Sequence, residues 1–258
     1  MADQASRVTV VIPARYGSSR FPGKPLASLL GKPMIQHVYE RAQGARLVDR
    51  VVVATDDERI RDAVWGFGGQ VMMTPAWLRT GTDRVAHVAA ACDGEYFLNL
   101  QGDEIVMSPD LVTDLVEPFL LSGAPIGTLQ RTIEVEEDLA NPAVVKVVRD
   151  RDGYALYFSR APIPHVRDAQ AGQRLTSKLH AVHLGLYGFT RRTLEQIAAL
   201  PTGRLEDVEK LEQLRALEHG IRIRVWETVH RSLRIDTPAD LRKAEAVLQK
   251  ECAPQASL

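Results

Sequence analysis

The sequence predicts an α/β fold, with a mostly parallel sheet flanked by helices and a smaller antiparallel extension. Through the first half, apolar runs typical of strands alternate with helical patterns of about 10 to 15 residues, which favours a doubly wound sheet. Around residues 126–190, short β-rich runs follow one another without long helices between them. The chain has 258 residues, of which 45% are hydrophobic, so it can bury a core of this size.

The predicted elements follow in chain order. In the first half we expect strands at residues 7–13, 51–57, 69–74 and 96–104, and helices at 34–44, 58–68, 83–91 and from 109 onward. In the second half we expect β-rich runs at 127–133, 143–150, 153–160, 183–190 and 221–227, an amphipathic helix at 205–220 and a last helix from Pro238. Asp152 and Gly153 indicate a hairpin turn, while Ser108 and Thr237 are predicted helix caps. Without a linker rich in Gly, Ser or Pro between the halves, we expect one domain over residues 7–250 with flexible termini at 1–6 and 251–258.

Composition and charge argue against several classes of protein. A formal net charge of −1 is not typical of proteins that coat nucleic acid or an anionic membrane. The sequence has no apolar run of transmembrane length and no pattern of a signal peptide at its start. Cys92 and Cys252 lie far apart without a CxxC spacing, so neither a disulfide framework nor a zinc site is indicated. We therefore expect a cytoplasmic protein without a membrane or nucleic-acid partner.

The most informative segment is VVIPARYGSSRFPGKPL, residues 10–26. A buried strand ends there in a loop that combines cations, hydroxyls and glycine: Arg15, Ser18, Ser19, Arg20, Gly23 and Lys24. Since such a loop lies at the carboxyl end of a strand, it suits an anionic ligand such as a polyphosphate. The alternative is a solvated basic loop, and the segment matches neither a P-loop nor a GxGxxG turn.

Together with GKPMIQHVYERA at residues 31–42, this segment closely resembles the N-terminal signature of the 3-deoxy-manno-octulosonate (Kdo) cytidylyltransferases. The resemblance extends over about residues 8–248. It implies a Rossmann-like, GT-A-like nucleotidyltransferase fold, with the antiparallel extension serving dimerisation. It also implies an enzyme that activates Kdo with CTP, giving CMP-Kdo and pyrophosphate for lipopolysaccharide biosynthesis, and that acts as a homodimer. In this reading Arg15, Arg20 and Lys24 hold and neutralise the triphosphate, and Ser18 and Ser19 belong to the nucleotide site.

Two aspartates follow predicted strands on the same edge of the sheet. Asp103 lies in NLQGDE and Asp236 lies in RIDTPADL. A hard divalent cation such as Mg²⁺ prefers carboxylate and phosphate oxygens, which makes Asp103 the leading candidate ligand. Each acid taken alone fits a helix cap or a surface charge. The resemblance implies that Asp103 and Asp236 bind Mg²⁺ together, and that Asp103 is catalytic.

The segment GTDR at residues 81–84 has a structural and a functional interpretation. In the structural interpretation the segment begins a helix, with Thr82 as the N-cap and with the acid Asp83 favourable at the positive end of the helix dipole. The resemblance implies that Thr80, Gly81, Thr82 and Arg84 recognise the cytosine ring. The resemblance assigns Gln101 to both the nucleotide and the sugar.

The resemblance places the acid sugar against a second group of polar side chains, Gln101, Arg160, His183, Glu212 and Gln213. Their structural alternatives are a solvated helix face for Glu212 and Gln213, a hydrogen-bonded strand histidine for His183 and an ion-paired Arg160.

Three segments depart from the family pattern: Trp77 and Leu78 replace an Asp-His pair, Ile105 replaces a proline, and RSLR at residues 231–234 replaces a glycine-bearing stretch. These departures leave two alternatives open. One is the same transfer to a related acid sugar, such as an 8-amino-3,8-dideoxy analogue. The other is a nucleotide-binding relative without turnover.

Overall fold

A single large sheet organises the fold, as a computed structural model shows for residues 7–17, 21–169, 175 and 179–252. The strands are β1 (Val8–Ala14), β2 (Ser28–Leu29), β3 (Lys32–Pro33), β4 (Arg50–Thr55), β5 (Val71–Met73), β6 (Tyr96–Leu100), β7 (Glu104–Val106), β8 (Ile126–Thr132), β9 (Lys146–Arg149), β10 (Ala155–Ser159), β11 (Ala181–Thr190), β12 (Ile223–Glu227) and β13 (Ser232–Arg234). The helices are α1 (Met34–Gln43), α2 (Glu58–Gly66), α3 (Gly81–Ala91), α4 (Asp110–Ser122), α5 (Glu136–Ala140), α6 (Arg191–Ala199), α7 (Arg204–Glu209), α8 (Gln213–Glu218) and α9 (Pro238–Cys252).

The centre of the sheet is parallel, in the order β6-β1-β4-β5. From β1 the chain first adds β4 and β5 on one side and later adds β6 on the other. This reversal makes a topological switch point between β1 and β6, where ligands bind in open α/β sheets. The predicted α/β fold with a mostly parallel centre is confirmed.

Strand β1 is buried along its whole length because helices cover both faces of the sheet. Val10 and Ile12 join a core layer with α1 and α4, whereas Val11 points to the opposite layer with α3 and α6. Burying side chains of this size contributes roughly 1.5–3 kcal/mol each. This two-sided burial explains the nearly unbroken apolar run in the sequence.

The antiparallel extension predicted at residues 126–190 is present and continues the same sheet. Strand β11 pairs antiparallel with β6, β8 and β9, and β12 adds to β8 in parallel. Within the described part of the chain, nine strands belong to this one sheet. The predicted hairpin at Asp152 and Gly153 connects β9 to β10, with Gly153 at a φ of 80°.

The prediction of one amphipathic helix over residues 205–220 is wrong. The segment forms two short helices, α7 and α8, because Lys210 adopts the left-handed conformation with φ 54° and ψ 48°. Val208 on α7 is 82% exposed, so it does not join a buried apolar face as one continuous amphipathic helix would require. The break turns the chain so that Glu212 and Gln213 begin a new helix beside α3.

The strand predicted over residues 96–104 ends at Leu100. A tight turn follows, in which the Glu104 N–H donates to the Gln101 carbonyl at 3.0 Å. Glu104 then begins β7, which pairs antiparallel with β13 in a two-stranded ribbon that the sequence analysis missed. No helix among the described residues is both long and apolar enough to cross a membrane.

Candidate functional site

Two clefts meet where β1 and β6 end. The smaller, of about 290 Å³, lies between the end of β1, the start of α3 and the turn after β6. The larger, of about 520 Å³, lies between β11, the α7–α8 break and the β7–β13 ribbon. Four side chains line both clefts: Gln101, Asp103, Glu212 and Arg234. A molecule in one cleft is therefore adjacent to a molecule in the other.

The structure brings Asp103 and Asp236 together at this junction. The Ile235 N–H donates to the Asp103 carbonyl at 2.9 Å. In the β7–β13 ribbon, Arg234 lies opposite Glu104 in the strand register. The Lys24 ammonium lies between the two carboxylates, with Nζ 2.7 Å from Asp103 Oδ2 and 3.8 Å from Asp236 Oδ1. The predicted pairing of the two acids at one sheet edge therefore agrees with the geometry.

This pair fits a hard divalent cation in its chemistry. Both acids offer carboxylate oxygens, and the ammonium of Lys24 already shows that a cation can reach both. Among the described residues, no three His, Cys, Asp or Glu side chains cluster as a complete metal site. Further ligands would have to be water or substrate oxygens, which is the usual pattern for Mg²⁺.

The start of α3 corrects the predicted cap. Thr80, rather than Thr82, is the N-cap: its hydroxyl accepts from the Asp83 N–H at 3.1 Å, and Asp83 accepts from the Thr80 N–H at 3.0 Å. This capping box requires an acid three residues after the cap, and Asp83 has that spacing only from Thr80. The Thr82 hydroxyl is left to donate to Glu212 Oε2 at 2.8 Å.

Gly81 allows α3 to approach the turn after β6. A Cβ at this position would lie 2.9 Å from Gln101 Nε2 and 3.3 Å from Asn99 Nδ2. The Gln101 amide in turn donates to Asn99 Oδ1 at 3.1 Å. The absence of a side chain at Gly81 therefore sets the position of Gln101 between the clefts.

Arg84 and Arg15 are two of the cationic side chains that line the smaller cleft. Arg84 is fully buried, forms an ion pair with Asp56 at 2.9 Å and also donates to the Thr74 hydroxyl. Arg15 donates to the Leu78 carbonyl. Partial burial and the neighbouring Arg84 lower the pKa of the Arg15 guanidinium. Arg15, Arg84, Lys24, Thr80 and Gly81 thus share one cleft, whereas Ser18, Ser19 and Arg20 lie outside the described residues.

His183 lies in the wall of the larger cleft and is already hydrogen-bonded. Its Nε2 is 3.0 Å from the Thr128 hydroxyl, which itself lies 2.8 Å from the Leu186 carbonyl. Because that hydroxyl has a single proton for the carbonyl, the imidazole Nε2–H is the donor to Thr128. Burial lowers the pKa of His183 to about 3, so the ring stays neutral.

Arg160 lines the larger cleft while it holds the α7–α8 break. Its guanidinium donates to the carbonyls of Glu209 at 2.7 Å, Pro142 at 3.0 Å and Lys210 at 3.4 Å. The Arg160 guanidinium therefore contacts mainly backbone carbonyls, and not an acidic side chain as the ion-pair alternative expected. A buried neighbour, Lys146, likewise donates to backbone, including the Arg160 carbonyl at 2.6 Å, and burial lowers its pKa.

Glu212 and Gln213 are not a solvated helix face. Glu212 lines both clefts and accepts from Thr82, and burial raises the pKa of its carboxyl. Gln213 lines the larger cleft, and its Nε2 is buried and has no hydrogen-bond partner among the residues that the structure describes. The five predicted sugar residues therefore surround one cavity, although their individual roles stay predictions.

Comparison with known proteins identifies the family. The family model described as Cytidylyltransferase matches residues 9–223. A 3-deoxy-manno-octulosonate cytidylyltransferase of Trichlorobacter lovleyi is 51% identical over 248 residues, covering 93% of this chain and 97% of the relative. The chain belongs to the 3-deoxy-manno-octulosonate cytidylyltransferase family.

Two further members extend this comparison. An 8-amino-3,8-dideoxy-manno-octulosonate cytidylyltransferase of Shewanella sp. strain ANA-3 is 50% identical over 92% of this chain and 97% of the relative. The solved structure of a CMP:2-keto-3-deoxy-manno-octonic acid synthetase complexed with CTP matches with a TM-score of 0.88 and 43% identity, covering 95% of this chain and all of the other. The relative confirms the family, and the solved structure also confirms the nucleotidyltransferase fold. Overall identity does not separate the two named sugars.

Some residues of this cytidylyltransferase site were missed from the sequence. Glu104, the residue after Asp103, is buried in the wall of the larger cleft, accepts from the Ser232 hydroxyl at 2.5 Å, and has a pKa raised by burial. Arg234 lies 3.3 Å from Asp236 and lines both clefts. The signal for Arg234 was its position two residues before Asp236. No local pattern indicated that Asp56 would pair with Arg84.

Proposed function

We propose that this enzyme transfers CMP from CTP to 3-deoxy-D-manno-octulosonate, releasing pyrophosphate and supplying CMP-Kdo for lipopolysaccharide biosynthesis. The observation that carries the proposal is the meeting of two clefts at Gln101 and Asp103, since a two-substrate transfer needs adjacent sites. The named relatives and the CTP complex of the structural neighbour support both substrates.

The smaller cleft suits the nucleotide. Arg15 and Lys24 are within it and would neutralise triphosphate charge, together with Arg20 as predicted from the sequence. Thr80 and Gly81 line this cleft at the start of α3, whereas Thr82, also predicted to bind the nucleotide, is not in its lining and donates to Glu212. Ser18 and Ser19 complete the predicted nucleotide site.

The larger cleft suits an acid sugar. Its charged lining includes five cationic side chains, Arg131, Arg160, Lys210, Arg231 and Arg234, against four acidic ones, Asp103, Glu104, Asp138 and Glu212. Burial raises the pKa of Glu104 and Glu212, which favours the neutral form of each carboxyl compared with an exposed one. A sugar carboxylate would be attracted there, while Gln101, His183 and Gln213 offer donors and acceptors to hydroxyls.

The chemistry requires little covalent participation by the protein. A sugar hydroxyl oxygen attacks the α-phosphorus of CTP, a new P–O bond forms as the bond to pyrophosphate breaks, and the hydroxyl proton passes to water. Asp103 and Asp236 would hold Mg²⁺, which supplies charge neutralisation at phosphate oxygens and lowers the pKa of a coordinated hydroxyl. Arg15 and Lys24 would stabilise the leaving pyrophosphate. His183 stays neutral and donates to Thr128, which suits orientation rather than proton abstraction.

The test measures pyrophosphate release with CTP and Mg²⁺ across a panel of acid sugars. Kdo should give the highest kcat/KM. Preference for the 8-amino-3,8-dideoxy analogue would instead favour the second candidate, which the Shewanella relative supports. CTP binding without turnover on any sugar would indicate a nucleotide-binding relative.

Substitution of a predicted metal ligand tests the chemistry at the junction. Asp103→Asn should lower kcat by roughly 10²-fold or more, the scale of losing one preorganised charge partner. Asp62→Asn on α2, an exposed acid paired with Arg61, is the matched control and should keep full activity. Near-normal turnover of Asp103→Asn would remove this aspartate from the mechanism.

We further propose that the enzyme is a cytoplasmic homodimer, associated through the antiparallel extension. Leu156 supports this, since it is 62% exposed on β10, a strand at one end of the sheet order. Sedimentation should detect a dimer that Leu156→Asp weakens. Leu121→Asp on α4, also highly exposed, is the control and should leave the dimer intact. Fractionation of cells would test the compartment.

A further inference from the structure

Lys24 is held against the two aspartates by several contacts. Its side chain is almost fully buried, and Nζ donates to Asp103 Oδ2 and to the Ile235 carbonyl, each at 2.7 Å. Asp236 Oδ1 is 3.8 Å away. The backbone is also fixed, because Gly23 before it adopts a φ of 71° and donates to the Tyr16 carbonyl at 2.9 Å.

These contacts put an ammonium where a divalent cation would have to approach the carboxylates. Arg234 adds a second positive charge, with Nε 3.3 Å from Asp236 Oδ2. The two carboxylates thus face two cations, of which Lys24 is buried and contacts both acids, whereas Arg234 is more than half exposed and contacts Asp236. Because solvent screens the exposed charge, Lys24 does most to neutralise the pair and to reduce its attraction for a metal ion. Like-charge repulsion at such short distances is large in a partly buried site.

Lys24 also lines the smaller cleft, beside Arg15 and Arg79. Its flexible four-carbon stem lets the ammonium change partners by side-chain rotation while the backbone stays in place. Phosphate oxygens in this cleft would offer the ammonium new acceptors. They would also add the negative charge that a divalent cation requires.

We infer that Lys24 is a resident counter-ion that occupies the aspartate pair until a triphosphate engages its ammonium, so that metal and nucleotide enter the site together. The inference rests on the metal site of the proposed function. On this inference, Lys24 neutralises the aspartate pair in the nucleotide-free enzyme, in addition to its predicted contact with the triphosphate.

The test measures binding of Mn²⁺, as a probe for the metal, to the full chain without nucleotide, from the electron paramagnetic resonance signal of free Mn²⁺. Lys24→Met should bind Mn²⁺ about tenfold or more tightly than wild type, because the competing charge is gone. Arg234→Met is the matched control: it removes a charge beside Asp236 but not between the two acids, and should gain less than about threefold. Adding Asp103→Asn to Lys24→Met should abolish the gain.

Equal Mn²⁺ affinity in wild type and Lys24→Met would overturn the inference, as would an equal gain in Arg234→Met. If Asp103→Asn leaves Mn²⁺ binding in the presence of CTP unchanged, the proposed metal site itself fails. If instead it abolishes that binding while Lys24→Met gains nothing, the metal site stands and the role of Lys24 falls.

A measurement on wild type decides the question even if Lys24→Met does not fold. In amide NMR spectra, Mn²⁺ alone should leave the signals of Asp103 and Ile235 sharp, and Mn²⁺ with CTP should broaden them. Broadening by Mn²⁺ alone, at the same concentration, would show that Lys24 does not keep the metal out.

Discussion

Gly81→Ala tests how closely the start of α3 controls the junction of the two clefts. The new Cβ would lie 2.9 Å from Gln101 Nε2, whereas ordinary contact begins near 3.4 Å. The Gln101 amide must therefore move by about 0.5 Å, because the helix backbone is fixed by the Thr80–Asp83 capping box. A displacement of about 1 Å at a reacting centre costs on the order of 10²-fold, so we expect roughly a tenfold loss of kcat/KM.

The same substitution should barely change stability. The contacting atom is the end of a flexible side chain, and replacing glycine by alanine in a helix stabilises by roughly 0.4–1 kcal/mol. We therefore expect the free energy of unfolding in urea to stay within about 1 kcal/mol of wild type. Loss of activity with retained stability is the signature of a displaced Gln101.

The assay is steady-state pyrophosphate release, with CTP and the acid sugar varied in turn. Since Gln101 lines both clefts, kcat/KM should fall for both substrates. Gly66→Ala at the end of α2 is the matched control, because a Cβ there has no atom within 4 Å. Unchanged kcat/KM for both substrates in Gly81→Ala would refute the positioning argument.

Three further substitutions test the charges and the backbone. Asp56→Ala leaves the fully buried Arg84 without its carboxylate, and should lower the free energy of unfolding by about 3 kcal/mol in urea titrations. The pKa of His183 is about 3 in the fold and 6.5 ordinarily, so between these values the unfolded chain binds the proton preferentially and stability falls as pH falls. From pH 6.5 to pH 4.5 we expect wild type to lose about 2 kcal/mol more than His183→Gln. Lys210→Gly should raise the free energy of unfolding by about 1 kcal/mol, because the left-handed conformation strains a side chain.

Each of these has a contradicting result, and the first two also have a control. For the ion pair, Asp62→Ala on the surface should change stability by less than about 0.5 kcal/mol, and an equally small effect of Asp56→Ala would mean that Arg84 is solvated. His165→Gln, at an exposed position, should leave the pH dependence unchanged, and parallel curves for His183→Gln would contradict its buried neutral state. Destabilisation of about 1 kcal/mol by Lys210→Gly would indicate a continuous helix instead.

Much of the fold was predictable because its signals are local. The run around Val10 indicates a strand buried on both faces, and Gly153 indicates the hairpin turn. The break at Lys210 was not predictable, because the sequence there keeps a helical period. Contacts from Arg160, about fifty residues earlier in the chain, hold the carbonyls of Glu209 and Lys210 in the broken arrangement.

The candidate site divides in the same way. Asp103, Asp236 and Lys24 were predicted because each lies in a recognisable segment after a strand or in a basic loop. That the Lys24 ammonium contacts Asp103 across 79 residues of sequence is a property of the fold. The same holds for Glu104, whose burial depends on the pairing of β7 with β13.

The sequence by itself determined the alternation of strands and helices, the family and the residue types available for nucleotide chemistry. Periodicity, turn residues and long motifs depend on neighbours in the chain, and a sequence contains these directly. Only the tertiary structure decided which cap starts α3, where α7 ends and which charges face each other. Those outcomes depend on packing and hydrogen bonds between segments far apart in the chain, and their free energies arise only when those segments meet.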